Sequence, residues 1–261
     1  MRSRPRSRNY AEGGFSFLTN ELKVLRNSFF RRLFLKRRRE NDIVQAFRLL
    51  YFDSYVCGNT FWLGIPVLKC PLDVWIYQEL IARLRPEKII ECGTAHGGSA
   101  LFMASICDLI DHGEVLSIDI AKNRSRPRHD RITYLLGSST SSRILDQVRS
   151  YVGNSEPVMV VLDSDHQQQH VLEELRSYSE LVTRGSYMIV EDTIRNGHPA
   201  FPDSGPGPME AVDQFLRETS EFTPDRDLEK HLMTFNPKGY LRRIRQAGHA
   251  STQALQAETI G

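Results

Sequence analysis

Two short stretches carry three carboxylates that could grip one hard cation. Asp163 closes the apolar run Val158–Asp163, and Glu191 with Asp192 closes the run Ser186–Glu191. Three carboxylates without a thiol form an oxygen site of the kind magnesium takes, with calcium or manganese as chemical relatives. Such a cluster repels itself unless a cation lies between its members. The competing reading is separate solvated acids or helix caps. His166 follows Asp163 at the start of the next helix, where it can point back over the cluster. An imidazole there could accept the proton of a hydroxyl whose pKa a cation lowers. Its alternative is a capping or structural histidine. Asp165 is the less favoured base and reads as a helix cap instead, and His170, one turn on, as a partner behind His166.

A second constellation lies in "ECGTAHGGSALF", residues 91–102. Glu91, Cys92 and Gly93 end one apolar run, and Gly97, Gly98 and Ser99 open the next helix. Glycine lets backbone approach a ligand closely, and Ser99 can cap a helix whose positive end faces that ligand. Asp119 closes the following run, where an acid can accept hydrogen bonds from ribose hydroxyls. The spacing is G-x-x-x-G-G rather than G-x-G-x-x-G, and Glu91 would repel a pyrophosphate. S-adenosylmethionine, whose methionine end is cationic, suits the turn better. Thr94 completes it as a cofactor contact and His96 as a packing or cofactor-contact residue; Gly137-Ser138-Ser139 ends the third run on the same edge, offering Ser138 and Ser139, and Asp163 is a further expected cofactor contact.

These residues need a scaffold that gathers them. From residue 88 onward, short runs rich in Val and Ile (Lys88–Glu91, Val115–Asp119, Ile132–Leu136, Val158–Asp163, Ser186–Glu191) alternate with helical patterns over Ser99–Ile110, Thr140–Val152 and Gln168–Leu181. Continuous apolar strands between helices predict an α/β fold with a parallel sheet covered on both faces. Ligands of such sheets bind beyond the carboxyl ends of the strands, where the acids lie. Upstream, residues 21–52 show helical periodicity, "TFWLGIPVLKCP" (60–71) reads as a loop or short extended piece, and Leu72–Leu84 as a helix. Downstream come a Gly/Pro-rich loop, a helix over Met209–Glu218, and two short extended pieces around Phe222 and Leu232–Phe235. Four units result: a basic, partly mobile tail and helix (1–40), a helical cap (41–87), a catalytic domain (88–245) and a frayed end (246–261).

Composition narrows the classes. A net charge of +2 gives no general bias toward nucleic acid, and residues 1–39 hold most of the basic excess, in "MRSRPRSR" and "RRLFLKRRR"; it reads as a solvated tail and a basic helix face. No apolar run approaches the roughly 20 residues a membrane span needs, and the start lacks the apolar core of a secretory signal. Cys57, Cys70, Cys92 and Cys107 have no metal-ligand spacing and read as free thiols of a cytoplasmic protein.

The segments "TFWLGIPVLKCPLDVWIYQEL", "ECGTAHGGSALFMAS", "LSIDI", "VLDSDHQQQHVLEEL", "YMIVEDT", "GPMEAV" and "FNPKGYLRR" together resemble the cephalosporin hydroxylase/rhamnosyl O-methyltransferase family, over roughly residues 55–243. The resemblance implies a Rossmann-like class I methyltransferase fold with a mostly parallel seven-stranded sheet, S-adenosylmethionine and a magnesium site. It carries over to Glu91, Gly93 and Asp119 as cofactor contacts and to Asp163, Glu191 and Asp192 as metal ligands. The Asp163-x-x-His166 spacing is similar to that of catechol O-methyltransferases, which have a lysine at the base position. The chain shows no two-histidine, one-carboxylate iron pattern, so oxygen chemistry is not predicted. The expected activity is magnesium-dependent O-methylation of a small molecule, a sugar hydroxyl or a glycosylated or other natural product. A non-catalytic accessory protein of a biosynthetic pathway is the first rival. A nucleic-acid methyltransferase is the second, opposed by the absence of an N-P-P-Y-type motif for a flipped base near the fourth strand. A homo-oligomer formed through the helices of residues 21–52 is also compatible with the pattern.

Overall fold

Alternation within each apolar run decides which side of the sheet its side chains cover. In the computed structural model, which describes residues 37–245, the predicted runs are strands β3 (Lys88–Cys92), β4 (Glu114–Asp119), β5 (Ile132–Leu136), β6 (Val158–Leu162) and β7 (Tyr187–Val190). Ile89, Val115, Met159, Val161 and Ile189 face one layer of helices, while Ile90, Leu116, Val158, Val160 and Val190 face the other. Period-two alternation of residues that are all apolar is what a sheet buried on both faces requires.

The sheet has seven strands in the order β5-β4-β3-β6-β7-β9-β8. The first five run parallel. β9 (Tyr240–Arg243) is antiparallel to β7 and to β8 (Phe222–Pro224). Order reverses at β3, whose neighbours are β4 and β6, so the crevice for a ligand opens above its carboxyl end.

Ahead of the sheet come helix α1 (Arg37–Asp53), a two-stranded hairpin of β1 (Phe61–Trp62) and β2 (Ile65–Pro66), and helix α2 (Pro71–Leu84). The hairpin turns on Leu63 and Gly64, with φ of 49° and 84°, the double positive φ of a type I′ turn. Helices α3 (Gly98–Leu109), α4 (Ser142–Val152), α5 (Gln168–Ser179) and α6 (Pro208–Glu218) cover the sheet. α2 and α3 lie on the Ile89 face, and α4, α5 and α6 on the Ile90 face. Trp62 anchors the hairpin to α3, edge-on to Phe102 with centroids 4.8 Å apart and donating through Nε1 to Ser105 Oγ at 3.0 Å.

The extended piece expected around Leu232–Phe235 is not a strand. There the buried carboxylate of Asp73, on α2, accepts the Phe235 amide at 2.8 Å, which pins the segment as a loop. The last ladder forms instead at β9, which the pattern had not separated from that loop. Residues 47–87 fall in the same compact unit as the sheet, the chain dividing at Met1–Ala46 and Phe47–Gly261. Residues 1–36 and 246–261, with the arginine-rich tail, most of the basic segment and the frayed end read from the sequence, lie outside the described residues. All four cysteines are free and buried. Among the described residues, no helix is long and apolar enough to cross a membrane.

Candidate active site

The glycine turn after β3 is held from below by a buried polar chain. Glu91 is fully buried, and its two carboxylate oxygens accept from Ser99 Oγ at 2.5 Å and Ser117 Oγ at 2.6 Å. Ser117 Oγ lies 2.7 Å from Thr94 Oγ1. Burial raises the Glu91 carboxyl to about 7, against the opposing pull of Lys69 and the two serine hydroxyls. A raised carboxyl pKa means that the folded chain holds a proton which the unfolded chain releases near its ordinary value of about 4.3. Stability should therefore fall as pH climbs from that value through about 7, and level off above. Asp73, also raised to about 7 by burial, acts in the same direction. Thermal melts between about pH 5 and about pH 8 should show a shallower decline for Glu91→Gln than for the unaltered chain. Equal slopes would contradict this assignment.

Each glycine of the turn answers a close approach. Gly93 has φ of 96°, and a Cβ there would sit 1.9 Å from the Asp163 carbonyl oxygen. At Gly98 a Cβ would meet the Pro66 carbonyl oxygen at 2.1 Å. Gly93 thus admits the end of β6, and Gly98 admits the hairpin. Gly97, with φ of 82°, is the residue before α3. Asp119 Oδ2 clamps the same turn, accepting from the amides of Thr94 at 3.2 Å and Ala95 at 2.9 Å and from Arg126 Nη2 at 2.7 Å.

Above the carboxyl ends of the strands lies a cavity of about 610 Å³. Of the residues expected to touch a cofactor, Gly93, Thr94, His96, Ser99, Asp119, Ser138, Ser139 and Asp163 line it. Glu91, Gly97 and Gly98 do not: they lie behind the wall, shaping it. Asp163, Glu191, Asp192 and His166 line the same cavity. His166 Nε2 is 3.5 Å from Asp192 Oδ2. Asp192 has φ of 57°, and its amide donates to Asn236 Oδ1 at 2.9 Å, which fixes this left-handed corner. Burial pushes the Asp192 carboxyl up while His166 pulls it down. Asp165 Oδ1 accepts the Gln167 amide at 2.9 Å in the turn before α5; Gln167 is the residue preceding that helix and no side chain caps it, so Asp165 is not its cap. His170 Nε2 lies 3.1 Å from Ser164 Oγ and 3.3 Å from Ser139 Oγ, beside the buried Glu174; the Glu174 hydrogen bond raises its pKa.

The group that sequence reasoning missed is Lys69. Its ammonium, 2% exposed, lies 2.5 Å from Asp163 Oδ2 and 2.9 Å from Glu191 Oε1. Burial opposes its charge, yet Asp163, Glu191 and Glu91 outweigh burial and hold its pKa above the ordinary lysine value. The Tyr77 hydroxyl, from α2, also reaches Glu191 Oε1. The only hint in the sequence is a lysine between apolar residues directly before a helix-opening proline, in "VLKCPLD".

The donor chemistry suits a hard cation: three carboxylates border one cavity, and a positive group already sits between two of them. As placed, Asp192 is turned to His166, and among the described residues no three His, Cys, Asp or Glu side chains close on a single point.

A family model described as rhamnosyl O-methyltransferase/CmcI matches residues 54–244. A rhamnosyl O-methyltransferase of Mycobacterium leprae (strain TN) is 37% identical over 213 residues, covering 79% of this chain and 93% of that protein. Its counterpart from Mycobacterium bovis (strain BCG / Pasteur 1173P2) is 34% identical over 224 residues, covering 83% and 90%. Two solved structures of CmcI, one apo and one with Mg and SAM, superpose with a TM-score of 0.58 at 20% identity. Each covers 72% of this chain, against 77% and 78% of their own. At that identity the likeness bears on the fold alone.

Proposed function

This chain belongs to the rhamnosyl O-methyltransferase/CmcI family, and from that premise we propose that it moves the methyl group of S-adenosylmethionine onto a hydroxyl of a rhamnosyl-type sugar or another small natural product. One observation carries the reading at the level of residues. A single cavity is lined both by the clamped glycine turn and by Asp163, Glu191, Asp192 and His166. Donor and acceptor can therefore meet inside it.

The glycine turn, Asp119 and the Ser138–Ser139 corner would receive the cofactor, which when bound supplies the methyl group. Asp163, Glu191 and Asp192 would hold a magnesium ion, which when bound stabilises negative charge growing on a hydroxyl oxygen. His166 takes the hydroxyl proton on Nε2, which lies 3.5 Å from Asp192 Oδ2 before an ion binds. The acceptor oxygen then bonds to the methyl carbon as the carbon–sulfur bond breaks, leaving a neutral thioether. Alignment of the two reactants contributes much of the rate, since well-oriented pairs recover up to about 7–11 kcal/mol of barrier.

The test mixes purified chain, S-adenosylmethionine, magnesium and a panel of rhamnosides, and measures S-adenosylhomocysteine and methylated product. Turnover is expected with at least one rhamnoside and is expected to stop with EDTA; activity indifferent to EDTA removes the metal from this reading. His166→Ala should lower kcat by about 10²–10⁴-fold, the usual contribution of a general base. Full activity in that variant removes His166 as the base.

A further inference from the structure

A buried lysine beside three candidate metal ligands needs a reason. We propose that Lys69 is a positioning residue that holds Asp163 and Glu191 together without an ion and, by its own charge, sets how weakly the chain takes a divalent cation. The inference rests on the magnesium part of the reading above and is independent of which hydroxyl is methylated.

The geometry argues for it in three steps. Lys69 comes from the short link between β2 and α2, and its ammonium reaches Asp163 Oδ2 at 2.5 Å and Glu191 Oε1 at 2.9 Å. Those acids end different strands, β6 and β7, so the lysine ties two strand ends that would otherwise repel. The same Glu191 oxygen also receives the Tyr77 hydroxyl. Lys69 and Tyr77 thereby engage Asp163 Oδ2 and Glu191 Oε1, and Asp163 Oδ1 and Glu191 Oε2 are not among the atoms they contact. The carboxylates are thus held from one side, with one oxygen apiece left over for an incoming group.

The cost of this arrangement falls on the metal. A fixed positive charge in contact with two ligands repels a divalent ion, and in a site shielded from water the repulsion is only partly screened. An ion held weakly exchanges readily, and the lysine keeps the acids in register whenever it leaves. A lysine serving packing alone would leave metal affinity untouched, which separates the two roles.

The experiment measures Mn²⁺ binding to the full chain by electron paramagnetic resonance of the free ion, with circular dichroism as the folding check. Lys69→Met should bind Mn²⁺ at least tenfold more tightly than the unaltered chain, about 1.4 kcal/mol, and its melting temperature should rise more on adding Mn²⁺. Lys69→Arg, which keeps the charge, should stay within about threefold of the unaltered chain. Equal or weaker binding by a folded Lys69→Met overturns the proposal and leaves the metal reading standing. Absence of Mn²⁺ binding in every protein overturns both, while S-adenosylhomocysteine formation still judges methyl transfer. Should Lys69→Met not fold, the unaltered chain decides. With ¹⁵N-labelled lysine, the protected Lys69 ammonium signal should shift as Mg²⁺ is titrated in, and a signal unmoved at saturation overturns the proposal.

Discussion

Asparagine in place of Asp163 is expected to lower kcat for methyl transfer by at least about 10²–10³-fold, the range seen when one preorganised electrostatic group is removed from a reacting centre. The amide preserves the shape of the side chain but removes its charge. Asp163 lines the cavity together with His166 and Asp192, and its Oδ2 is one of the two anchors of Lys69. Stability should change little, because Glu191 remains as the lysine's partner and Asp163 is 25% exposed, so the lost pair is partly screened. Calorimetry should find S-adenosylmethionine bound within about tenfold of its original affinity, the loss appearing in kcat. A kcat within threefold of the unaltered enzyme would remove Asp163 from the reacting centre.

Alanine at Gly93 should have the largest structural effect. The residue sits at φ of 96°, and the added Cβ would lie 1.9 Å from one backbone atom of Asp163 and 2.9 Å from the Ser164 amide nitrogen. Left-handed backbone alone costs a non-glycine residue about 1–2 kcal/mol. The clash is with backbone at the end of β6, which no side-chain rotation relieves. A total loss of about 3–5 kcal/mol is expected, against the 5–15 kcal/mol of a typical domain. Because the displaced backbone is that of Asp163, binding of the cofactor and turnover should fall together. Gly185→Ala is the control: φ is 86° and nothing lies within 4 Å of the new Cβ, so only the local conformational penalty applies. Denaturant unfolding of both variants measures the difference. Equal losses at the two positions would show that the approach of β6 to the glycine turn contributes nothing.

Much of the cavity's acidic lining was legible because its members are local to strand ends. Asp119, Asp163, Glu191 and Asp192 each follow an apolar run directly, and parallel strands deliver their carboxyl ends to one edge. His166 and Asp165 were placed by their distance from the end of β6. The glycine turn was equally plain, yet its interpretation was incomplete. Gly98 and Glu91 serve the hairpin contact and the buried serine network respectively. The Tyr240–Arg243 strand escaped notice because four residues with a preceding Gly differ little from loop, and its identity as a strand comes from pairing on both sides.

The amino-acid order alone determined the α/β class, the run of parallel strands, the glycine turn after β3 and the edge on which the acids gather, since each follows from periodicity or from neighbours along the chain. Only the tertiary structure decided that Lys69 enters the acidic cluster, that Glu91 sits beneath the cavity wall, and that Asp192 faces His166. Those outcomes depend on how a short hairpin seats against Gly98 and how β6 closes on Gly93. Contacts between residues about a hundred positions apart leave no periodic trace in a sequence, because the chemistry of a lysine flanked by apolar residues is the same until the fold supplies its partners.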